Sequence, residues 1–243
     1  MAEDPRYMTL TGHLRELRQR LIRALISIAI AFVFTYYWSE EIYRLLIAPL
    51  IPYLPEEQRF IVFTTVTEPF FTYLKVGFLG AVVVAMPYIL YEVWAFVAPA
   101  LYEEERRLFL PLVTLSFLLF VAGILFAYFV VFPVAFRYLM GFSGEMLKPY
   151  VSMALYMGLV VRLLFAFGVA FQVPLIIMVL VRAGIVSIER LKGWWKYALI
   201  LSLVAGALLT PPDPLSQLLM ALPLMALYWL GVALAILFGR KGG

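Results

Sequence analysis

Apolar residues in this chain are gathered into long runs with no regular polar interruption. Six runs stand out, each of roughly 16 residues or more, and a helix of about 20 apolar residues crosses a hydrocarbon core of about 30 Å. The runs occupy residues of about 21–38, 74–97, 108–132, 154–181, 194–209 and 215–238. Membrane barrel strands would instead alternate polar with apolar over about ten residues. The pattern therefore predicts an all-α membrane protein with six transmembrane helices.

The first run resembles a secretory signal peptide, because Arg18, Arg20 and Arg23 lie at its beginning. No A-x-A-like cleavage site follows it, and five further apolar runs do. We therefore interpret the run as a helix that is retained in the protein.

The segment before this run has leucines at helical spacing, namely Leu10, Leu14, Leu17 and Leu21. Such spacing indicates an amphipathic helix. We expect this helix to lie at the membrane surface and to continue into the first span.

Residues 39–73 form a long connection between the first two runs. Four prolines divide it into short pieces: Pro49, Pro52, Pro55 and Pro69. Residues Glu41 to Ala48 suit a short helix, and we expect the whole connection to form an external cap.

Proline also occurs at or inside the boundaries of four spans, at Pro87, Pro111, Pro133, Pro174 and Pro223. An interior proline removes one helical hydrogen bond and bends the helix. We therefore expect a curved, concave bundle that forms a single membrane domain over residues 1–243.

The fifth run has only 16 residues, about 24 Å of helix, and predicts local thinning of the bilayer.

Charge and composition support this topology. The chain is 65% apolar and 14% charged, which excludes an ordinary soluble domain. Thirteen of the 19 lysines and arginines fall on one side when both termini are cytoplasmic, as the positive-inside rule favours. The net charge of +4 is spread over loops and a tail rather than one stripe, which argues against nucleic-acid binding.

Several short motifs resemble the TatC family. They are His13-Leu-Arg-Glu-Leu-Arg18, Ala48-Pro-Leu50, Glu68-Pro-Phe70, Tyr91-Glu-Val-Trp-Ala-Phe-Val-Ala-Pro-Ala-Leu-Tyr102, Glu105-Arg-Arg107, Phe126-Ala-Tyr-Phe-Val-Val-Phe-Pro133, Ala166-Phe-Gly168 and Thr210-Pro-Pro-Asp213. The likeness runs from about residue 8 to residue 238. Their order on six spans makes the resemblance specific, although each motif alone is weak.

The resemblance implies the core receptor of the twin-arginine translocase in a prokaryotic inner membrane. Such a receptor binds the twin-arginine signal peptides of folded precursors at the cytoplasmic face. It nucleates an oligomeric complex with TatA and TatB family proteins among membrane lipids, driven by the proton-motive force. No enzymatic activity, cofactor or metal is implied, and the chain has no P-loop motif.

Glu16 is the first residue that the resemblance assigns to signal-peptide binding. A carboxylate suits a guanidinium because it accepts charge-assisted, bidentate hydrogen bonds. The alternative is an i,i+4 ion pair with Arg20, worth about 0.3 to 0.5 kcal/mol on an exposed helix.

Glu105 is the second such residue, since it directly precedes Arg106-Arg107. The run Glu103 to Glu105 also suits the start of a helix, where acidic side chains stabilise the macrodipole by about 0.3 to 1 kcal/mol. Which of the three carboxylates contacts a peptide stays open.

Other positions match the family with a structural alternative beside each role. Arg18, Phe96 and Tyr102 match signal-peptide positions, and Pro49 matches the external cap, although packing explains Phe96 and Pro49 equally well. Asp213 matches a translocation aspartate, and it also suits an N-cap before Pro214.

Polar groups in the spans are functional candidates because they are costly there. Glu92 either joins the peptide site or reaches the interface. Gln172 stands where relatives often have glutamate, so it carries no proton, but it suits hydrogen bonding to a peptide or to the Ala170 carbonyl. Arg162 either snorkels or pairs with an external carboxylate such as Glu68.

Two other classes of function compete with a peptide receptor. A small-solute secondary transporter would show corresponding halves with broken helices, and the two halves here do not correspond. An intramembrane enzyme would need a clustered nucleophile, base or metal set, and the chain has one histidine and no cysteine.

The sequence also departs from the family pattern at Trp229, where relatives often have glutamate. This departure weakens the expectation that partner proteins contact that position.

Overall fold

The computed structural model describes residues 10–55, 60–97, 109–142, 150–210 and 214–238, with side chains from residue 12 onward. Glu105, Tyr102 and Asp213, which the sequence singles out, lie outside these ranges. Helices account for nearly all of the described chain. They are α1 (Leu10–Tyr37), α2 (Ser39–Ile47), α3 (Glu68–Val97), α4 (Phe109–Phe126), α5 (Phe132–Met140), α6 (Met153–Ala170), α7 (Val173–Arg182), α8 (Ile188–Gly193), α9 (Trp195–Leu209) and α10 (Pro214–Phe238).

Five helical segments are long and apolar enough to cross a membrane, and α9 is a sixth, shorter apolar helix. The predicted all-α membrane class is therefore confirmed. The amphipathic segment does continue into the first span as one helix of 28 residues, and the short helix predicted near Glu41 is α2.

Three spans differ from their predicted bounds. The second, predicted over 74–97, begins earlier, at Glu68. The third was expected to end near residue 132, but the helical path continues to Met140 through a π-helical turn, Ala127–Val131. In this turn the Phe132 amide donates to the Ala127 carbonyl, so the wider turn accommodates Pro133, which has no amide proton. The fourth span, expected as one helix, is interrupted at residues 171–172. Pro174 follows at the start of α7, and a proline ring there clashes with the carbonyl four residues earlier.

The chain divides into two compact units, of which the first comprises Met1–Ile42 and Leu74–Leu118. In this unit α1 packs against α3 through Ala31, Ala81 and Ala85. The Thr35 hydroxyl donates to the Gly77 carbonyl at 2.7 Å, and a Cβ on Gly77 would lie 3.1 Å from the Tyr36 Cα. Small residues therefore let the two helices approach closely, as is common in membranes.

The second unit comprises Tyr43–Tyr73 and Leu119–Gly243. Its α7 and α10 share a buried cluster that includes Ile177, Val181 and Val232. A Cβ on Gly123 would lie 2.4 Å from the Phe167 carbonyl oxygen, so α4 and α6 pack with their backbones nearly in contact.

Glu68 ties the connection before α3 to the start of α6, within this second unit. Its Oε1 accepts from the Ser152 hydroxyl and the Ala154 amide, and its Oε2 accepts from the amide and hydroxyl of Thr64, all at 2.7 to 2.9 Å. The suggested pair between Arg162 and Glu68 is therefore wrong. Four donors occupy the carboxylate, and the Arg162 Nε donates to the Gly158 carbonyl instead.

Candidate functional site

The candidate site is a cluster of charged side chains on α1 and α3, in the first unit. Glu16 and Arg20 are one helical turn apart, so their side chains lie on the same face of α1. The Arg20 Nε and Nη2 donate to the Glu16 Oε1 at 2.9 and 2.6 Å. The i,i+4 pair that was the structural alternative for Glu16 is therefore present.

Arg20 also binds a second carboxylate, on α3. Its Nη1 donates to the Glu92 Oε2 at 2.9 Å, and the Glu92 side chain is only 4% exposed. The Tyr88 hydroxyl, one turn earlier on α3, donates to the Glu92 Oε1 at 2.9 Å. Arg23, which is mostly exposed, approaches the same oxygen at 3.8 Å. Glu92 is thus a buried member of the cluster rather than an anchor at the interface.

Glu16 uses only one of its two oxygens in this cluster. Its Oε2 is buried and has no hydrogen-bond partner among the residues that the structure describes. A buried acceptor without a donor costs about 1 to 3 kcal/mol, and more when it is charged. A ligand that donates an N–H to this atom would recover that free energy.

The charge balance of the cluster also favours a cationic ligand. Glu16 and Glu92 are two carboxylates, and among the described residues one guanidinium, that of Arg20, is bonded to both. Arg23 adds a second positive charge at a longer distance and with 58% of its side chain exposed, so solvent screens it. Among the described side chains, the two carboxylates therefore share one closely bonded guanidinium.

An aromatic pair accompanies the charged cluster. The rings of His13 and Phe96 stack with centroids 4.3 Å apart and an angle of 25° between their planes. His13 is exposed and Phe96 is half-buried. Phe96 therefore has a packing partner and still presents part of its ring, so neither of the two roles weighed for it is removed.

The remaining candidate residues lie elsewhere in the described chain. Arg18 is exposed on α1, and Trp229 is exposed on α10. In the second unit, Pro49 lies half-buried in the turn after α2. Gln172 is half-buried at the break between α6 and α7. Its backbone amide donates to the Val169 carbonyl, and its backbone carbonyl accepts from the Ile176 amide.

Sequence reasoning missed the parts of the cluster that depend on tertiary packing. Arg20 was considered only as a local partner of Glu16, and Tyr88 was not considered at all. The spacing of Tyr88 and Glu92, four residues apart on a predicted helix, was a usable signal.

Among the described residues no three His, Asp or Glu side chains are placed to hold a metal ion.

The sequence of this chain is similar to a protein-family model and to several known proteins. Residues 12–223 match the family model described as Sec-independent protein translocase protein (TatC). A protein of that name from Desulforapulum autotrophicum is 43% identical over 99% of this chain and 89% of its own length. The protein of the same name from Escherichia coli K12 is 44% identical over 96% of this chain and 90% of its own length. The one from Aquifex aeolicus is 39% identical over 96% of this chain and 97% of its own length.

Solved structures agree with these relatives. The crystal structure of a twin-arginine translocase receptor, TatC, superposes with a TM-score of 0.85 at 39% identity and covers 93% of this chain and 98% of that one. A second crystal structure of the receptor, in the detergent DDM, gives a TM-score of 0.84 at 37% identity. Because sequence and fold agree over nearly the whole length, this chain belongs to the TatC family of Sec-independent protein translocase proteins and is a multi-pass membrane protein.

Proposed function

We propose that this chain is the signal-peptide receptor of a twin-arginine translocase in a prokaryotic inner membrane. The observation that carries the proposal is the Glu16 carboxylate. Arg20 holds one of its oxygens, while the other is buried with no donor in the described part of the chain. A signal-peptide arginine donates from a planar fork of N–H groups and matches that vacancy.

Glu16 is the first ligand of the peptide in this proposal. The peptide guanidinium donates to the Glu16 Oε2 while Arg20 keeps the Oε1, so binding does not require the internal pair to break. Glu92 and Arg20 then act as positioning residues that hold Glu16 in one orientation. Phe96 and its partner His13 provide an apolar, aromatic surface beside the charged groups for the residues around the arginines.

Glu105 supplies the second carboxylate in the proposal, with Arg18 and Tyr102 as further contacts. Two carboxylates match two arginines in number and in charge. The excess of lysine and arginine in the loops that contain this site supports a cytoplasmic position for it and for both termini. That is the side from which an untranslocated precursor arrives.

The rest of the proposal concerns the complex that the receptor nucleates. TatA and TatB family proteins assemble around it, and the proton-motive force drives transport. Gln172 has no titratable proton, so a proton path in this protein does not use that side chain. Membership of a protein translocase family does not favour the alternative of a small-solute transporter.

Photo-crosslinking of a twin-arginine signal peptide tests the site and its orientation together. A peptide with a photoreactive group beside its arginines is added to inverted vesicles, which expose the cytoplasmic face. We expect crosslinks to residues near Glu16 and Glu105 that disappear in Glu16→Ala and in Glu105→Ala. Right-side-out vesicles should give none.

A matched control is Glu189→Ala, because Glu189 is an exposed carboxylate of α8 outside the cluster. This variant should crosslink like the unmodified protein. Unchanged crosslinking in the Glu16→Ala, Glu105→Ala double variant would refute the assignment of these residues. Crosslinks from right-side-out vesicles alone would reverse the proposed orientation.

A further inference from the structure

The helix α6 contains a single charged residue, Arg162, in a segment long and apolar enough to span a membrane. The Arg162 Nε donates to the Gly158 carbonyl at 2.9 Å, so the side chain turns back toward the Met153 end of the helix. At 1.5 Å per residue, Gly158 lies about 7.5 Å from that end. The guanidinium is therefore near the depth at which long cationic side chains reach the headgroup region.

In the part of the chain that the structure describes, most of the Arg162 guanidinium has no partner. The side chain is exposed, and neither terminal nitrogen has a hydrogen bond or an ion pair with a residue that the structure describes. A cation in a membrane span is expensive unless it reaches water or pairs with an anion. Arg162 thus presents two N–H donor groups in one plane, a geometry that suits phosphate.

The same arginine lines one of two adjoining cavities in the second unit. A cavity of about 380 Å³ includes Arg162 and Tyr156 in its wall. A second cavity of about 240 Å³ is almost wholly apolar. Leu139, Leu159 and Thr210 line both cavities, so the two adjoin. We call the pair of cavities the groove, and Arg162 lines the first of them.

We propose that this groove binds an anionic phospholipid, with its phosphate on Arg162 and an acyl chain along the apolar walls. Arg162 matches the anionic phosphate of such a lipid, and the apolar walls match its hydrocarbon chain. Lipid is also the solvent that surrounds a membrane-spanning helix. A transmembrane helix would match the apolar walls but leave Arg162 unpaired unless it carried an acidic residue at the right depth. A zwitterionic lipid offers the phosphate with a competing cation attached.

Lipid retention measured by native mass spectrometry tests the charged end of the site. The protein is released from bilayers of phosphatidylcholine that contain a minor fraction of phosphatidylglycerol. We expect phosphatidylglycerol to be retained preferentially, and Arg162→Gln to lower its retention roughly tenfold, as for the loss of one charge-assisted interaction. Arg162→Lys should retain an intermediate amount, because it keeps the charge but not the fork.

Arg137→Gln is the matched control, since Arg137 is an exposed arginine of α5 in the same unit that lines neither cavity. It should retain phosphatidylglycerol as the unmodified protein does. For the apolar end, Leu159→Trp fills the groove at the wall common to both cavities and should lower retention with Arg162 intact. Circular dichroism checks that each variant keeps its helices.

Three results would overturn the proposal. The first is equal retention of phosphatidylglycerol by Arg162→Gln and Arg137→Gln. The second is equal retention of phosphatidylcholine and phosphatidylglycerol by the unmodified protein. The third is a groove that crosslinks to a second copy or to a partner helix and holds no lipid.

Discussion

Arg20 determines how the two carboxylates of the cluster are held. Its guanidinium donates two N–H groups to Glu16 and a third to Glu92, so one cation fixes both acids. The Glu92 side chain is nearly inaccessible, and removing one partner of a buried ion pair costs about 3 to 5 kcal/mol. Arg20 therefore stabilises α1 against α3 in addition to orienting Glu16.

Replacing Arg20 should destabilise the protein because the buried Glu92 would then keep only the exposed Arg23, at 3.8 Å, as a nearby cation. We expect Arg20→Gln to lower the free energy of unfolding by about 3 kcal/mol, measured by denaturant unfolding in mixed micelles. The Arg20→Gln, Glu92→Gln double variant should recover part of that loss, because the buried charge of Glu92 is then removed as well.

Arg18→Gln is the control on the same helix, since Arg18 is exposed. Its effect should stay within about 0.5 kcal/mol. Equal destabilisation by the Arg18 and Arg20 variants would show that the cluster contributes nothing beyond the loss of a surface charge.

At the residue scale, the sequence predicted a hydrogen bond or ion pair only where the two side chains are close along the chain. The Glu16–Arg20 pair follows from i,i+4 spacing, whereas the Arg20–Glu92 bond joins residues 72 positions apart. That bond depends on the register of α1 against α3, which helical periodicity does not specify. Thr35 and Gly77 contribute to that register, and their hydrogen bond was equally invisible in the sequence.

At the scale of elements, glycine and proline explain most departures from regular helix packing. Gly123 on α4 and Gly158 on α6 illustrate the difference between a required and a dispensable glycine. A Cβ on Gly123 would lie 2.4 Å from a backbone oxygen, whereas a Cβ on Gly158 would meet only an Arg162 nitrogen, at 3.9 Å. Only the first glycine sets the spacing of two helices.

Adding a methyl group at Gly123 should force α4 and α6 apart. We expect Gly123→Ala to cost about 1 to 3 kcal/mol in the free energy of unfolding, in the range of overpacked cores. Gly158→Ala should be neutral or stabilising by up to about 1 kcal/mol, because alanine favours helix more than glycine does. The same micelle assay compares them, and similar values for the two variants would contradict the close approach of α4 and α6.

The existence of the elements was predictable, but two of their details were not. Long apolar runs identify spans because lipid leaves the backbone no partner except itself. The third span continues past its apolar run into Arg137 and Tyr138, since the backbone hydrogen bonds of α5 do not depend on hydropathy. Proline signalled a disturbance in two spans, but it did not specify a π turn near Pro133 or a break before Pro174.

At the scale of the whole molecule, the length and order of the apolar helices identified the class, and the family motifs narrowed it to a protein translocase. Helix α9, Trp195–Leu209, has 15 residues, about 22 Å at 1.5 Å per residue. Thinning of the bilayer beside it stays a prediction, as do the concave shape, the single domain and the cytoplasmic termini. Glu105, Tyr102 and Asp213 keep the roles expected from the sequence without a structural test.

In the proposed site, the Glu16 Oε2, which has no donor among the described residues, recognises an arginine of the signal peptide. The most direct measurement is the affinity of the reconstituted protein for twin-arginine and twin-lysine versions of one peptide, compared between Glu16→Gln and the control Glu189→Gln. We expect the twin-arginine peptide to bind roughly tenfold tighter than the twin-lysine peptide to the unmodified protein and to Glu189→Gln, and Glu16→Gln to abolish this preference. An undiminished preference in Glu16→Gln would contradict the proposed site.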